Sequence, residues 1–136
     1  MKFIDTNVLV YFADGRNREK QSIARAILAD AMGSRQHVIS FQVLNEFANV
    51  SLKKLGMTED EVGQYIEAFQ HIRVVFQQGG WAIRALEIKK QYGIQFYDSL
   101  MLVAAESAGC DEFLTEDLND RQVYCGIKVV NPFKGL

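Results

Sequence analysis

Proline occurs once in the 136 residues, and cysteine, histidine and tryptophan are scarce: two, two and one. Each shortage excludes something. So little proline argues against a disordered or linker-rich chain. Two cysteines, Cys110 and Cys125, make no disulfide framework, so a reducing cytoplasm is the expected location. With His37 and His71 they form no metal-ligand spacing, which leaves a structural zinc site without ligands. The same two histidines lie far from the acidic motifs described below, so a histidine-based triad has little support. No phosphate-cradling loop or dinucleotide glycine fingerprint is present, and Gly79-Gly80 alone reads as a turn. No apolar run approaches the ~20 residues of a membrane helix, and the opening MKFIDTN lacks the long apolar segment of a signal peptide.

Charge of one sign is also missing. The chain carries 17 Asp and Glu against 15 Lys and Arg, a net charge of −2. That value first argues against a nucleic-acid partner. It averages over an uneven distribution. Setting four acids aside for a metal site leaves 13 against the 15 basic residues, and two bound divalent ions would move −2 to +2. The basic residues cluster as Arg16, Arg18 and Lys20, as Lys53 and Lys54, and as Lys89 and Lys90. Any one cluster taken singly reads as a solvated helix face.

What remains is a chain 49% hydrophobic and 24% charged, long enough for one core and expected to form a single domain over residues 1–136. Its pattern alternates. Strands are expected at 2–5, 37–40, 72–76, 112–115 and 127–131. A helix is expected over 17–32, with Ile23, Ala26, Ile27 and Ala31 on its apolar face. Ser40 is placed to cap a second helix that Gly56 stops near Leu55. Thr58 with Glu61 forms a capping box for a third, to about Phe69. A fourth follows Gly79-Gly80 and ends at Gly93. A fifth runs from Tyr97 to Ala108 and ends at Gly109. Strands alternating with helices imply parallel βαβ units, hence an α/β fold with a central parallel sheet flanked by helices.

Against this frame the acidic residues stand out. Asp5 in KFIDTNVLVY, Glu46 in SFQVLNEFANV, Asp98 in FYDSLMLVAA and the pair Glu116-Asp117 in FLTEDLND each interrupt or abut an apolar stretch. A carboxylate there is costly unless something neutralises it, and a bound cation is one such thing. Asp5 and Asp117 fall at carboxyl ends of strands, where ligands bind in open parallel sheets. Glu46 shares a helix face with Val43 and Val50, and Asp98 shares one with Met101, Leu102 and Ala105, so both are expected to face inward. Helix capping accounts for Asp98 alone, and an ion pair for Glu46 alone. Neither accounts for their convergence with the rest.

An oxygen-only cluster suits Mg²⁺ or Mn²⁺. Such ions lower the pKa of a bound water and stabilise charge on a phosphoryl group. Asn7 offers an amide beside Asp5, and Ser40 and Thr115 offer hydroxyls near the same edge, where such groups more often serve as caps. In an extended chain Thr115 and Asp117 share one side and Glu116 faces the other, toward solvent or Arg121. A turn at Thr115 would break that parity, so either acid remains open as the fourth ligand. Trp81 and the phenylalanines are expected in the core, and Cys110 as a small buried hydrophobe.

The motifs FIDTNVLVY, NEF on a helix, YDSLMLVAA followed by AGC, and LTEDL leading to GIKVVNPF resemble, in order and spacing, PIN-domain ribonucleases. The close resemblance is to the VapC-type toxins of toxin–antitoxin pairs. It covers essentially the whole chain. It implies a PIN-like α/β fold, a Mg²⁺ or Mn²⁺ site, and endonucleolytic RNA cleavage by a metal-activated water. By position it assigns Asp5, Glu46, Asp98 and Asp117 as the catalytic, metal-holding acids, with Asn7 after the first and Thr115 opening the T-x-D element. It implies a homodimer and a small antitoxin with a basic tail. Tyr97 stands where the family often has tryptophan, and Glu116 adds a second acid. Two other readings compete: a catalytically weak RNA- or partner-binding module, and a phosphatase-like enzyme with Asp5 as nucleophile. The latter wants a second acid where this chain has Asn7.

Overall fold

The computed structural model describes residues 1–136. Its elements run β1 (Lys2–Ile4), α1 (Thr6–Ala13), α2 (Arg18–Ser34), β2 (His37–Ser40), α3 (Phe41–Lys54), α4 (Glu59–Phe69), β3 (Arg73–Val75), α5 (Trp81–Tyr92), α6 (Phe96–Ser107), β4 (Glu112–Leu114), β5 (Val123–Tyr124) and β6 (Ile127–Val130). The sheet has the order β3-β2-β1-β4-β6-β5, parallel throughout except for β5, which pairs antiparallel with β6. The expected α/β architecture is therefore present, with one antiparallel edge that the sequence pattern does not reveal.

The order has a consequence for function. From β1 the chain builds outward through β2 to β3, then returns to the other side of β1 to lay down β4. The order thus reverses between β1 and β4, and a crevice at the carboxyl ends of two such strands is where open α/β sheets bind ligands. Register places Ile4 beside Leu114. The next residues, Asp5 and Thr115, therefore stand side by side at that crevice. The Asp5 amide donates to the Leu114 carbonyl at 3.0 Å, which extends the ladder by one step.

Local signals explain most of the helices. Ser40 caps α3 by accepting from the Val43 amide, and the Thr58–Glu61 capping box is formed at α4. Gly93 and Gly109, at φ +68° and +75°, end α5 and α6 in the left-handed region that L-residues avoid. Two expectations need correction. No element is expected from the pattern over 6–13, because TNVLVYFA is apolar nearly throughout and shows no clean period. There Asp5 acts as N-cap, taking the Thr6 amide on its side chain, and the chain turns into α1 with Val8 and Leu9 buried. In α2 the buried stripe is Ala24, Leu28 and Ala31. Ala26 is exposed, and Ile23 and Ile27 are only half-buried at the flank of that stripe.

The core lies on both faces of the sheet. Phe3, Ile39 and Phe113 from the strands meet Leu9, Leu28, Phe47 and Leu102 from the helices, all essentially without exposure. Trp81 is buried as expected, and so is Cys110, whose thiol burial pushes up to about 11. The phenylalanines divide. Phe41 and Phe76 stand exposed at the carboxyl edge, packed against each other at a tilt with ring centroids 4.8 Å apart. No helix is long and apolar enough to cross a membrane.

Candidate active site

The corner where β1 and β4 end is wired around one hydroxyl. Thr115, fully buried, donates from Oγ1 to Asp5 Oδ2 at 2.8 Å and accepts from Asn7 Nδ2 at 2.9 Å and from the Asp117 amide at 3.0 Å. That uses the one donor and both acceptor positions of a threonine hydroxyl. Asn7 Nδ2 also donates to Asp117 Oδ2 at 3.0 Å. Its Oδ1 is buried without a partner, a costly state unless something fills it. Asp5 receives the Thr6 amide on Oδ1 at 2.7 Å. These bonds fix Asp5, Asn7, Thr115 and Asp117 relative to one another.

Glu46 reaches the same corner from α3. It accepts from Thr6 Oγ1 at 2.9 Å on one oxygen and from Gln42 Nε2 at 2.9 Å on the other. Asp98 arrives from the first turn of α6, half-buried. Electrostatics couple the four acids. Burial, with Asp117 and Asp98 adding to it, pushes the Asp5 carboxyl up to about 7 despite its two hydrogen bonds. Burial raises Asp98 as well, followed by the charges of Asp117 and Glu46. None of the chain's ion pairs involves Asp5, Glu46, Asp98 or Asp117.

Four mutually repelling carboxylates, no countercharge and an orphaned amide oxygen fit a hard divalent cation in both charge and donor chemistry. The fit is to charge rather than to a finished cage. As they stand, no three His, Cys, Asp or Glu side chains form a group ready to hold an ion.

The remaining expected residues are placed differently. Ser40 is buried and caps α3; its other contact is Met101 Sδ at 3.9 Å, and it touches none of the acids. Glu116 turns away from the cluster. It accepts from Tyr11 Oη at 2.6 Å and from Lys20 Nζ at 2.8 Å. Its basic neighbour is thus Lys20 and not the expected Arg121. The strand stops at Leu114, so parity does not decide the matter. The opposed directions of Glu116 and Asp117 come instead from the Thr115 turn bond and the Lys20 pair. His37 is buried near Asp30, and His71 is exposed beside Arg73, both apart from the acids.

Two supporting side chains went unrecognised in the sequence. Gln42 stands four residues before Glu46 on one helix face, a readable pairing. Thr6 holds Glu46 from across 40 residues, for which no local signal exists. Two clefts flank the corner. One of about 640 Å³ is lined by Phe41, Gln42, Asn45, Phe76 and Tyr97 among others, and one of about 510 Å³ by Asn7, Tyr11, Arg16, Lys54 and Asp117. Glu46 and Asn49 line both.

Comparison with known proteins agrees with this geometry at the level of fold. A toxin–antitoxin complex from Klebsiella pneumoniae superimposes with a TM-score of 0.72 at 21% identity, over 98% of each chain. VapC20 of Mycobacterium tuberculosis, a Sarcin-Ricin loop cleaving toxin, gives 0.70 at 13% identity, over 94% of this chain and 99% of that one. VapBC2 of Rickettsia felis, bound to a DNA fragment from its promoter, gives 0.65 at 15%, over 94% and 96%. No curated protein matches by sequence. The PIN domain family model matches residues 2–124, nearly the whole chain. The chain therefore belongs to the PIN domain family.

Proposed function

We propose that this chain is a metal-dependent endoribonuclease and the toxin of a toxin–antitoxin pair. One observation carries the reading: four carboxylates couple at the sheet's switch point with no Lys or Arg paired to any of them. Burying Asp5 beside the half-buried Glu46 and Asp98 and the exposed Asp117 destabilises the free chain, and a site whose cost a ligand offsets is the simplest account of it. Asp5, Glu46, Asp98 and Asp117 would hold one or two Mg²⁺ or Mn²⁺ ions. When bound, such an ion lowers the pKa of water and neutralises charge on a phosphoryl oxygen.

The chain's own residues supply the rest. Thr115 and the Thr6 amide hold Asp5 in one orientation, so little ordering is left for the moment of binding. Asn7 steadies Asp117, and Thr6 with Gln42 steadies Glu46. Burial, then the charges of Asp117 and Glu46, raises the Asp98 carboxyl, a strain that a bound cation would relieve. Lys54 lines the cleft beside Asp117 without an ion-pair partner and is available to a phosphate.

The resemblance to VapC toxins, with neighbours solved as toxin–antitoxin complexes, favours a small antitoxin as partner. An acidic groove suits a basic tail, whose Arg or Lys would stand where the cation otherwise does. Exposed Ile83 and Leu86 on α5 are consistent with a homodimer. A cytoplasmic location and a single domain accord with the same reading. The test is cleavage of total RNA with Mg²⁺ or Mn²⁺, with chelator, and by Asp98→Asn. Cleavage that survives both the chelator and the substitution would end the proposal.

A second reading has one observation in its favour. Because no three acidic groups form a ready cage, the chain could bind RNA or a partner with weak catalysis. A Mn²⁺ titration separates the two, since a pure binder needs no stoichiometric metal.

A further inference from the structure

We propose that the cleft between α3, α5 and α6 is a base-reading subsite, which seats one nucleobase of single-stranded RNA next to the acidic corner. The proposal rests on the nuclease reading and names what that site recognises. The two clefts on either side of Glu46 differ in kind. One contains Arg16 and Lys54; the other, the larger, is lined by no Lys or Arg at all, and Glu46 is its one charged residue. A phosphate has nothing to hold it in the larger cleft. A flat, neutral group with hydrogen-bonding edges does.

The lining has both parts that such a group needs. Phe41, Phe76 and Tyr97 are 42%, 62% and 65% exposed, and three large aromatic side chains at one rim are not there for the core. Phe41 and Phe76 brace each other at 4.8 Å with their planes 31° apart, so one presents a ring face while the other supports it. Base–aromatic stacking of this sort is sequence-tolerant and strong enough to hold a base in place. Beside the rings, Gln42, Asn45 and Asn49 stand at i, i+3 and i+7 along α3, a single helix face. Asn45 and Asn49 each offer a donor and an acceptor, the pair needed to read a base edge, while Gln42 keeps its oxygen as an acceptor.

Gln42 ties this row to the proposed chemistry. Its Nε2 is committed to Glu46 and to the Tyr97 carbonyl, at 2.9 and 3.4 Å. The helix face that carries Asn45 and Asn49 is therefore bonded, through Gln42, to one of the four acids. Glu46 and Asn49 line both clefts, so an RNA strand crossing from the Lys54 side to the aromatic side carries its phosphodiester past Asp117 and Glu46. The pocket volume, about 640 Å³, lies in the range of small-ligand sites. A protein segment is the competing occupant. The amide row and the direct bond to Glu46 favour RNA over an apolar helix.

The experiment uses the full chain carrying Asp98→Asn, so that substrate is not consumed, with short fluorescent homopolymer RNAs of each base. Anisotropy is measured for this protein, for the same protein with Asn45→Ala and Asn49→Ala, and for Phe76→Leu. Expected is a preference of about tenfold for one base, reduced to within about twofold by the double amide substitution, with Mn²⁺ binding unchanged. Phe76→Leu should weaken all four RNAs by roughly five- to tenfold. In the wild-type background the amide variant should still cut RNA, at less selective positions. A base preference that persists without the amides overturns the subsite, as does a parent protein that never discriminates. So does a Phe76→Leu variant altered only in oligomeric state or antitoxin binding, since the cleft is then a protein interface. Base-selective binding without cleavage by the wild-type chain in Mg²⁺ or Mn²⁺ would instead sink the nuclease reading and leave the subsite standing.

Discussion

At the junction of α5 and α6, Arg84 grips Glu106 through hydrogen bonds of 3.0 and 2.9 Å and reaches Glu87 at 3.0 Å. At the carboxyl edge of the sheet, Asp5, Glu46, Asp98 and Asp117 share a corner with no Lys or Arg bonded to any of them. The two regions hold the same chemical groups under opposite conditions. In the first, each carboxylate is partly exposed and matched by a guanidinium, which lowers the Glu106 pKa and raises that of Arg84. In the second, burial and like charge act together, and Asp5 is pushed up to about 7. A chain able to pair its acids in one place and leaving them unpaired in another has spent stability at the second. Such sites are where proteins trade folding free energy for function.

If the comparison is right, the largest effect lies in catalysis. Asp98→Asn should lower RNA cleavage on the order of 100- to 1000-fold, the range seen when one preorganised electrostatic group is lost. Folding should be intact, because Asp98 makes no ion pair and sits at the half-buried start of α6. The comparison breaks if circular dichroism is unchanged and cleavage falls less than about threefold.

Stability should respond next, and its sign is fixed. The Asp5 carboxyl has a folded pKa of about 7 against an ordinary value of 3.8. The folded chain therefore keeps a proton that the unfolded chain has released. This contribution to stability is fully present below about pH 4 and is lost as pH rises through about 7. Metal-free protein should thus be weaker in urea at pH 8 than at pH 5.5, and Asp5→Asn should flatten that fall. The size is on the order of a few kcal/mol. Loss of the charge-assisted bond from Thr115 to Asp5 offsets part of the gain. Mg²⁺ or Mn²⁺ at pH 8 should recover stability through binding to the folded state alone. Identical pH curves for the two proteins would remove Asp5 as the source.

How far the sequence disclosed these regions depends on the range of the interactions. Helix ends were legible because caps are local: Ser40, the Thr58–Glu61 box and Gly93 act within three or four residues. The parallel strands were legible from β-branched and aromatic runs, whereas the two-residue β5 was too short to leave a pattern. Helix α1 was not, since its start depends on Asp5 serving as both cap and site residue, and its apolar sequence has no clean period. The acids were visible as charges in apolar stretches, yet the hydroxyl that binds them together was not. Thr115 reaches Asp5 across 110 residues, and only the Ile4–Leu114 register brings the two side by side. Arg84 with Glu87 is an i, i+3 pair that a sequence shows; Arg84 with Glu106 needs α5 packed on α6. Phe41 and Phe76 read as core by composition, because exposure belongs to the surface and not to the residue type.

The paired region should give a modest effect. Glu106→Gln removes the charge that Arg84 grips on α6. Both side chains are 36% exposed, so solvent screening discounts the pair to about 1 kcal/mol or less. Cleavage should be unaffected, and thermal unfolding in high salt should shrink the difference from wild type. A loss of several kcal/mol would show that the α5–α6 junction carries more of the fold than an exposed pair can.

The smallest effect comes from the one place where the two regimes stand side by side. Glu116 and Asp117 are consecutive, and the fold treats them oppositely. Glu116 is held by Lys20 and Tyr11, with Lys20 also over the Tyr11 ring at 4.6 Å. Asp117 meets only the Asn7 amide and raises the pKa of both Asp5 and Asp98 by its charge. Glu116→Gln keeps an oxygen for Tyr11 and loses only the attraction to Lys20, a partly exposed pair worth at most about 1 kcal/mol. Cleavage and Mn²⁺ affinity should then stay within about threefold of wild type. Asp117→Asn keeps nearly the same shape and removes one charge from the corner, so it should weaken Mn²⁺ while lowering the Asp5 pKa toward its ordinary value. Titrating Mn²⁺ into both variants, with the pH dependence of urea unfolding alongside, tests the contrast. If Glu116→Gln loses more metal affinity than Asp117→Asn, with both folded, the assignment of the fourth acid is reversed, and the pairing with Lys20 gives way when the ion arrives.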